Sequence, residues 1–330
     1  MSKRIAVIGS NSFSGSDFID LLLLDPENVV IGISRSPEKD PIFLPYKQHQ
    51  NQKFTFYQLD LNKDMDKIIA CLDRLKPEYI VNFAAQSEVA PSWQYPAQWF
   101  ETNVVALANL TQYLIGVSYL KRYVHISSPE VYGACANNLK EGAPLNPSTP
   151  YAASKAAADL FLATLRKNFN FPLITIRATN VYGAHQQLFK IIPRSIINIK
   201  KSRVIELHGG GAAVKSYIHI RDISRGELLA MEKGSLGSMY HLAPESGVSV
   251  KNLVRMIAQK MGAQFEQAAK PVGERMGQDA AYLLDASRAK EELGWQPKVS
   301  LEDGIQDAIE WIEHNWKKIQ NEPLEYVHKA

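Results

Sequence analysis

Two short stretches carry side chains able to move protons. In "HISSPEVYG" (125–133) an apolar run ends in Ser127, Ser128, Pro129 and Glu130, a hydroxyl beside a carboxylate where a buried strand would finish. In "PYAASK" (150–155) Tyr151 and Lys155 stand four apart, on one face of a helix whose start is marked by Thr149 and Pro150. An ammonium beside a phenol favours the phenolate, so Tyr151 is expected to act as a base nearer neutral pH than a free tyrosine. Ser128 would hydrogen-bond the substrate hydroxyl that loses its proton. Each stretch also has a plainer reading. Ser and Pro are ordinary turn residues, and Tyr–Lys at this spacing is common on helix surfaces.

The N-terminal loop decides between them. The strand Arg4–Ile8 runs into "GSNSFSG" (9–15) and then a helix, the context in which a dinucleotide pyrophosphate meets a helix N-terminus. Gly9 and Gly15 are in place, while Ser12 stands where a third glycine is usual. Its Cβ limits backbone approach, and its hydroxyl can donate to phosphate in return. A structural turn would also explain the glycine pair. The second strand ends in Ser34, Arg35 and Ser36 with no carboxylate before Glu38. An acidic residue there suits the ribose hydroxyl of NAD and an arginine suits the phosphate of NADP, so NADP is expected over NAD. Asp60, after the third strand, would either meet the adenine edge or cap a helix.

These residues need rigid elements to hold them. Strands are expected at Arg4–Ile8, 29–33, 53–58, 79–83, 122–127 and 173–177, with helices at 14–24, 64–75, 97–117 and Pro150–Phe169 between them. Near-continuous apolar strands alternating with helices predict an α/β fold, a doubly wound parallel sheet covered on both faces. After residue 177 the rhythm changes to short strands ("RVIEL", "SMYHL"), a Gly-rich turn and helices at 249–261, 285–295 and 301–316. In the last of these Ile305, Ala308, Ile309 and Ile312 share a face. The division expected is a dinucleotide-binding domain, 1–177, and a smaller mixed α/β domain, 178–330, with strand exchange back to the first.

The 330 residues are 45% apolar and 22% charged, with a net charge of +3, too mild a balance to argue for nucleic acid. No apolar run approaches a membrane span. Cys71 and Cys135 have no metal-ligand spacing, and a reduced, cytoplasmic setting is expected, with no metal.

Taken together, the motifs resemble a known family, the extended short-chain dehydrogenase/reductases that include nucleotide-sugar epimerases and dehydratases. The likeness runs through "GSNSFSG", "NFAAQSEV" (82–89), "TNV" (102–104), "SSPEVYG", "PSTPYAASKAAAD" (147–159), "RATNVYG" (177–183), "KIIPR" (190–194), "YIHIRD" (217–222) and "GERMGQD" (273–279). "AAQS" and "PSTPYAASK" look most like the 4,6-dehydratases of dTDP-glucose and GDP-mannose type. The resemblance implies a Rossmann-like fold and a tightly bound, recycled NAD(P). It places that cofactor against Gly9, Ser12, Phe13, Gly15, Ser34 and Arg35, then Asp60, Leu61, Ala84, Ala85, Tyr151 and Lys155. A nucleoside-diphosphate hexose would meet Gln86, Ser87, Asn180, Lys190, Lys215 and Arg275. Ser128, Tyr151 and Lys155 match the catalytic triad, and Glu130 matches the base that takes the sugar's C5 proton.

Pro129 departs from the pattern. The dTDP-glucose enzymes carry there an aspartate that protonates the leaving hydroxyl, and the GDP-mannose type a small hydroxyl residue. Proline can do neither, which leaves both duties to Glu130 or a water it holds. "GQDAAY" also departs from the usual "GHDRRY". A 4-epimerase, the main alternative, needs the triad but not Glu130; a decarboxylase shares the glutamate. A non-catalytic dinucleotide-sensing protein would often lack the tyrosine or lysine. The family also implies a homodimer through a four-helix bundle of helices 97–117 and Pro150–Phe169, each apolar over more than one stripe.

Overall fold

The computed structural model describes residues 2–49, 53–134, 138–273 and 281–329. The first five strands are β1 (Arg4–Ile8), β2 (Val29–Ser34), β3 (Phe54–Gln58), β4 (Tyr79–Asn82) and β5 (Arg122–Ile126). The helices among and after them are α1 (Phe13–Leu22), α2 (Met65–Leu75), α3 (Ala106–Ile115) and α4 (Pro150–Phe169). The chain then adds β6 (Leu173–Ala178), α5 (Ile220–Lys233) and β7 (Met239–Leu242).

All seven strands run parallel in the order β7-β6-β5-β4-β1-β2-β3. Their buried, β-branched sequences need cover on both sides. One side packs Phe18, Ile19 and Leu22 of α1 with Ile223 and Met231 of α5. The other packs Ile68 of α2, Leu107 and Leu110 of α3 and Leu162 of α4. The strand order reverses at β1, so a crevice opens there at the strands' carboxyl ends.

"SMYHL" is the strand β7, which pairs with β6 from Met239↔Thr175 to Leu242↔Ala178 and so extends the main sheet. Two expected helices need correcting. Residues 285–295 hold a shorter helix, 287–293, whose α-helical start passes into a π-turn, Ala289–Leu293, that ends at Gly294 with φ 66°. The expected helix 97–117 is interrupted as well. It runs as Pro96–Phe100, a π-turn Glu101–Val105, and then α3.

The remaining part packs short strand pairs and helices around Tyr182, Ile196, Leu253, Ile305 and Ile312. Among the described residues no helix is long and apolar enough to cross a membrane.

Candidate active site

The phosphate loop is tight because Gly9 makes it so. Its φ is +85°, and a Cβ there would sit 2.6 Å from the Ala84 backbone nitrogen, so only glycine lets the loops after β1 and β4 meet. Gly15 is likewise pressed against the Gly9 carbonyl. Ser12 is the N-cap of α1, and its Oγ accepts from Gly15 N at 2.9 Å, which gives the serine a capping role in place of the missing glycine. Asn11, which the sequence did not single out, ties this loop to the tip of β2. Its Nδ2 donates to the Ser36 and Pro37 carbonyls, each at 2.8 Å, and its backbone N–H to Ser34 Oγ at 3.0 Å.

These loops border a cavity of about 670 Å³, within the range of small-molecule sites. Gly9, Ser12, Ser34, Arg35, Asp60, Leu61, Ala84, Ala85, Gln86 and Ser87 line it. Phe13 and Gly15 stand behind the wall, and Asp60 also closes a turn by accepting from Asn62 N at 2.9 Å. A wall that sequence reasoning missed comes from residues 322–329, whose Pro323, Tyr326, Val327 and Lys329 line the same cavity as Gly9.

A second missed residue is Asn103, in the π-turn. Its side chain accepts from Gln86 N at 2.9 Å and donates to Gln86 O at 3.0 Å and Ser154 Oγ at 2.9 Å. One buried amide thus fixes the loop after β4 to the tyrosine-bearing helix. The irregular turn, of a kind frequent at functional sites, aims it there.

Helix α4 spans the residues expected of it. Thr149 caps it by accepting from Ala152 N at 3.1 Å, and Pro150 opens it. Ser128 caps the short turn Pro129–Tyr132, its Oγ accepting from Glu130 N at 3.2 Å, and its hydroxyl reaches the Tyr151 phenol. Ser128, Glu130, Tyr151 and Lys155 therefore converge at the ends of β5 and α4. They gather beside the 670 Å³ cavity and do not line it.

The Tyr151 phenol is pushed up, first by burial and then by the charges of Glu130 and Glu88; only the Ser128 hydrogen bond opposes them. Lys155 does not reverse this. Its Nζ donates to the Ile126 carbonyl at 2.8 Å and lies 3.5 Å from His125 Nε2. Burial, with Arg177 adding and Asp159 opposing, lowers Lys155 to about 8. Behind it Asp159 is held by Arg177 and Ser127, each at 2.6 Å.

On the substrate side, Lys190 does not point at open cleft: its Nζ sits 2.6 Å from Glu88 Oε1, a cavity-lining carboxylate that the sequence reading passed over. Asn180 lies in the strand Asn180–Tyr182, and its Nδ2 donates to the Ser216 carbonyl at 3.0 Å. Lys215, in Val214–Lys215, pairs with Val248 and Tyr282 on neighbouring strands. Arg275 and the "GQD" motif fall outside the described residues, as does Cys135.

The chain is similar over its length to characterised enzymes. It is 28% identical over 332 residues to human dTDP-D-glucose 4,6-dehydratase, covering 97% of this chain and 93% of that one. The crystal structure of a dTDP-glucose 4,6-dehydratase from Streptomyces venezuelae, with NAD and TYD bound, superposes with a TM-score of 0.88 at 29% identity, covering 95% and 98% of the two chains. A UDP-glucose 4-epimerase from Thermotoga maritima, solved with UDP-glucose, gives 0.85 at 26% identity, covering 95% and 99%. Residues 7–308 match the GDP-mannose 4,6 dehydratase family model, and with the nucleotide loop, the Ser–Tyr–Lys set and the added glutamate in place, the chain belongs to that family.

Proposed function

We propose that this protein is a nucleoside-diphosphate-sugar 4,6-dehydratase that converts an NDP-hexose to its 4-keto-6-deoxy form, residues 1–177 holding the dinucleotide and 178–330 the sugar nucleotide. The observation that carries the reading is Glu130 beside Ser128 and Tyr151, an arrangement a 4-epimerase does not require. The cavity's glycine-walled loop and its length along the carboxyl edge fit an NAD(P). When bound, that cofactor takes a hydride from C4 and returns it to C6. Arg35, with Ser34 and Ser36 at the β2 tip, favours the form carrying a 2′-phosphate.

The protein's own part is proton movement. Tyr151 takes the proton of the C4 hydroxyl, oriented by Ser128 and supported by the buried Lys155 charge. The ketone so formed acidifies C5, and Glu130 removes that proton. With Pro129 unable to donate, Glu130 passes the proton to the departing C6 hydroxyl, which leaves as water. Two protons are released, from the C4 hydroxyl and C5, and two are used, on the leaving hydroxyl and in reprotonating C5. Nothing is consumed but the substrate.

The assembly proposed is a homodimer through α4 and the helix that ends in α3, since Leu160 and Val105 stand 61% and 53% exposed on them. A cytoplasmic setting suits the free thiol of Cys71. The test is incubation with a panel of nucleoside-diphosphate hexoses, read by mass spectrometry. A product lighter by one water, with no cofactor used, is the expected result. An isobaric product inverted at C4 would establish the epimerase instead.

A further inference from the structure

The last residues of the chain lie across the crevice where the dinucleotide is proposed to sit. The Lys329 carbonyl accepts from Arg35 Nη2 and from Gln86 Nε2, both at 2.9 Å. Arg35 follows β2 and Gln86 follows β4, the two neighbours of β1 in the sheet. One backbone oxygen is thus pinned from both sides of the phosphate loop, which the segment must cross.

Its anchors are specific. The His328 ring stacks on Tyr95, centroids 5.0 Å apart, and on Trp99 at 5.3 Å, while its Nε2 meets Gln98 Oε1 at 2.6 Å. Tyr326 packs edge-on against Phe189, and Glu325 pairs with Arg194 at 2.9 Å. Even so, the cavity beneath keeps its volume of about 670 Å³, so the segment roofs the crevice and does not fill it. The charges point the same way. Lys39 and Lys329 line the same cavity as Arg35 of the β2 tip, so three cations border it.

We infer that residues 326–329 are the outer wall of the dinucleotide site, closing over the bound cofactor, with the Lys329 ammonium joining Arg35 and Lys39 around a 2′-phosphorylated adenosine ribose. The inference rests on the NAD(P) reading above. The wall has a use in that chemistry, because a dinucleotide that gives back its hydride must stay bound between the two transfers.

The test measures NADP and NAD binding by calorimetry, and cofactor dissociation by stopped-flow, for the full chain, Lys329→Gln, His328→Ala and a chain ending at Asn321. Lys329→Gln should weaken NADP about five- to tenfold and leave NAD unchanged. His328→Ala and the shortened chain should release both dinucleotides faster. The point variants keep the test valid if the shortened chain misfolds. Equal loss of NAD and NADP in Lys329→Gln would overturn the phosphate contact. Unchanged or tighter binding on loosening the segment would overturn the wall. If the full chain binds neither dinucleotide, the cofactor reading falls as well, an outcome distinct from both.

Discussion

Lys155 is a buried charge, and its cost to stability can be measured. The residue is 2% exposed, and its ammonium rests on one backbone carbonyl beside a histidine that burial keeps neutral. Its drop from 10.5 to about 8 corresponds, at ~1.4 kcal/mol per pH unit, to about 3 kcal/mol against folding at neutral pH. Lys155→Met keeps the chain length and removes the charge. Subtracting ~1 kcal/mol for the lost bond to Ile126 leaves a variant about 2 kcal/mol more stable than wild type.

The sign of the pH dependence makes this falsifiable. Below about 8 the lysine is protonated in folded and unfolded chains alike, so wild type bears the full penalty. Between about 8 and 10.5 the folded lysine sheds its proton while the unfolded one keeps it, and wild type gains on the variant as pH rises. Urea unfolding followed by tryptophan fluorescence should therefore show the gap at about pH 7 and little of it at about pH 9.5. Turnover should fall by ~10²-fold or more at about pH 7, where wild type still carries the charge. A variant less stable than wild type at pH 7, or a gap that does not shrink with pH, would refute the reasoning.

Glu130→Gln should let C4 oxidation proceed but slow elimination by ~10²-fold or more, so nicotinamide absorbance appears on adding substrate and persists; Tyr151→Phe should show neither event. Near wild-type turnover in Glu130→Gln would remove the main support for the dehydratase. Asn103→Ala strands buried donors and acceptors of Gln86, so it should cost ~1–3 kcal/mol in urea unfolding and lower kcat as Tyr151 and the β4 loop lose registry. Conservation of both parameters would reduce Asn103 to a spectator. Leu160→Glu places a charge on an exposed apolar face of α4 and should give a monomer by light scattering with little change in unfolding midpoint.

What could be read from the sequence was what is local. The cap and first turn of α4, the glycine at position 9 and the hydroxyl–carboxylate pair after β5 are fixed by residues within a few positions of one another, and spacing reports them. The strand β7 was legible as a strand, but its partner and register were not, because propensity carries no information about a partner some sixty residues away. The Glu88–Lys190 pair and the Arg35–Lys329 contact join positions 102 and 294 apart. Spacing also says little of what surrounds the Tyr151 phenol. The i,i+4 lysine is real, but burial and two carboxylates outside the motif set the phenol's balance.

Pro129 shows how one residue can be read in two ways. As a side chain it removes the acid that protonates the leaving hydroxyl in the enzymes this sequence resembles. As backbone it opens the turn Pro129–Tyr132, where its fixed φ suits the first position and its missing N–H costs nothing. The next free N–H is that of Glu130, and it goes to Ser128 Oγ. The turn that the proline opens thus ties the glutamate's backbone to the serine that also reaches Tyr151. On the proposed reading, a carboxylate carried by this turn would take the C5 proton and return it to the leaving hydroxyl at C6, a double duty that Pro129 leaves to Glu130 alone.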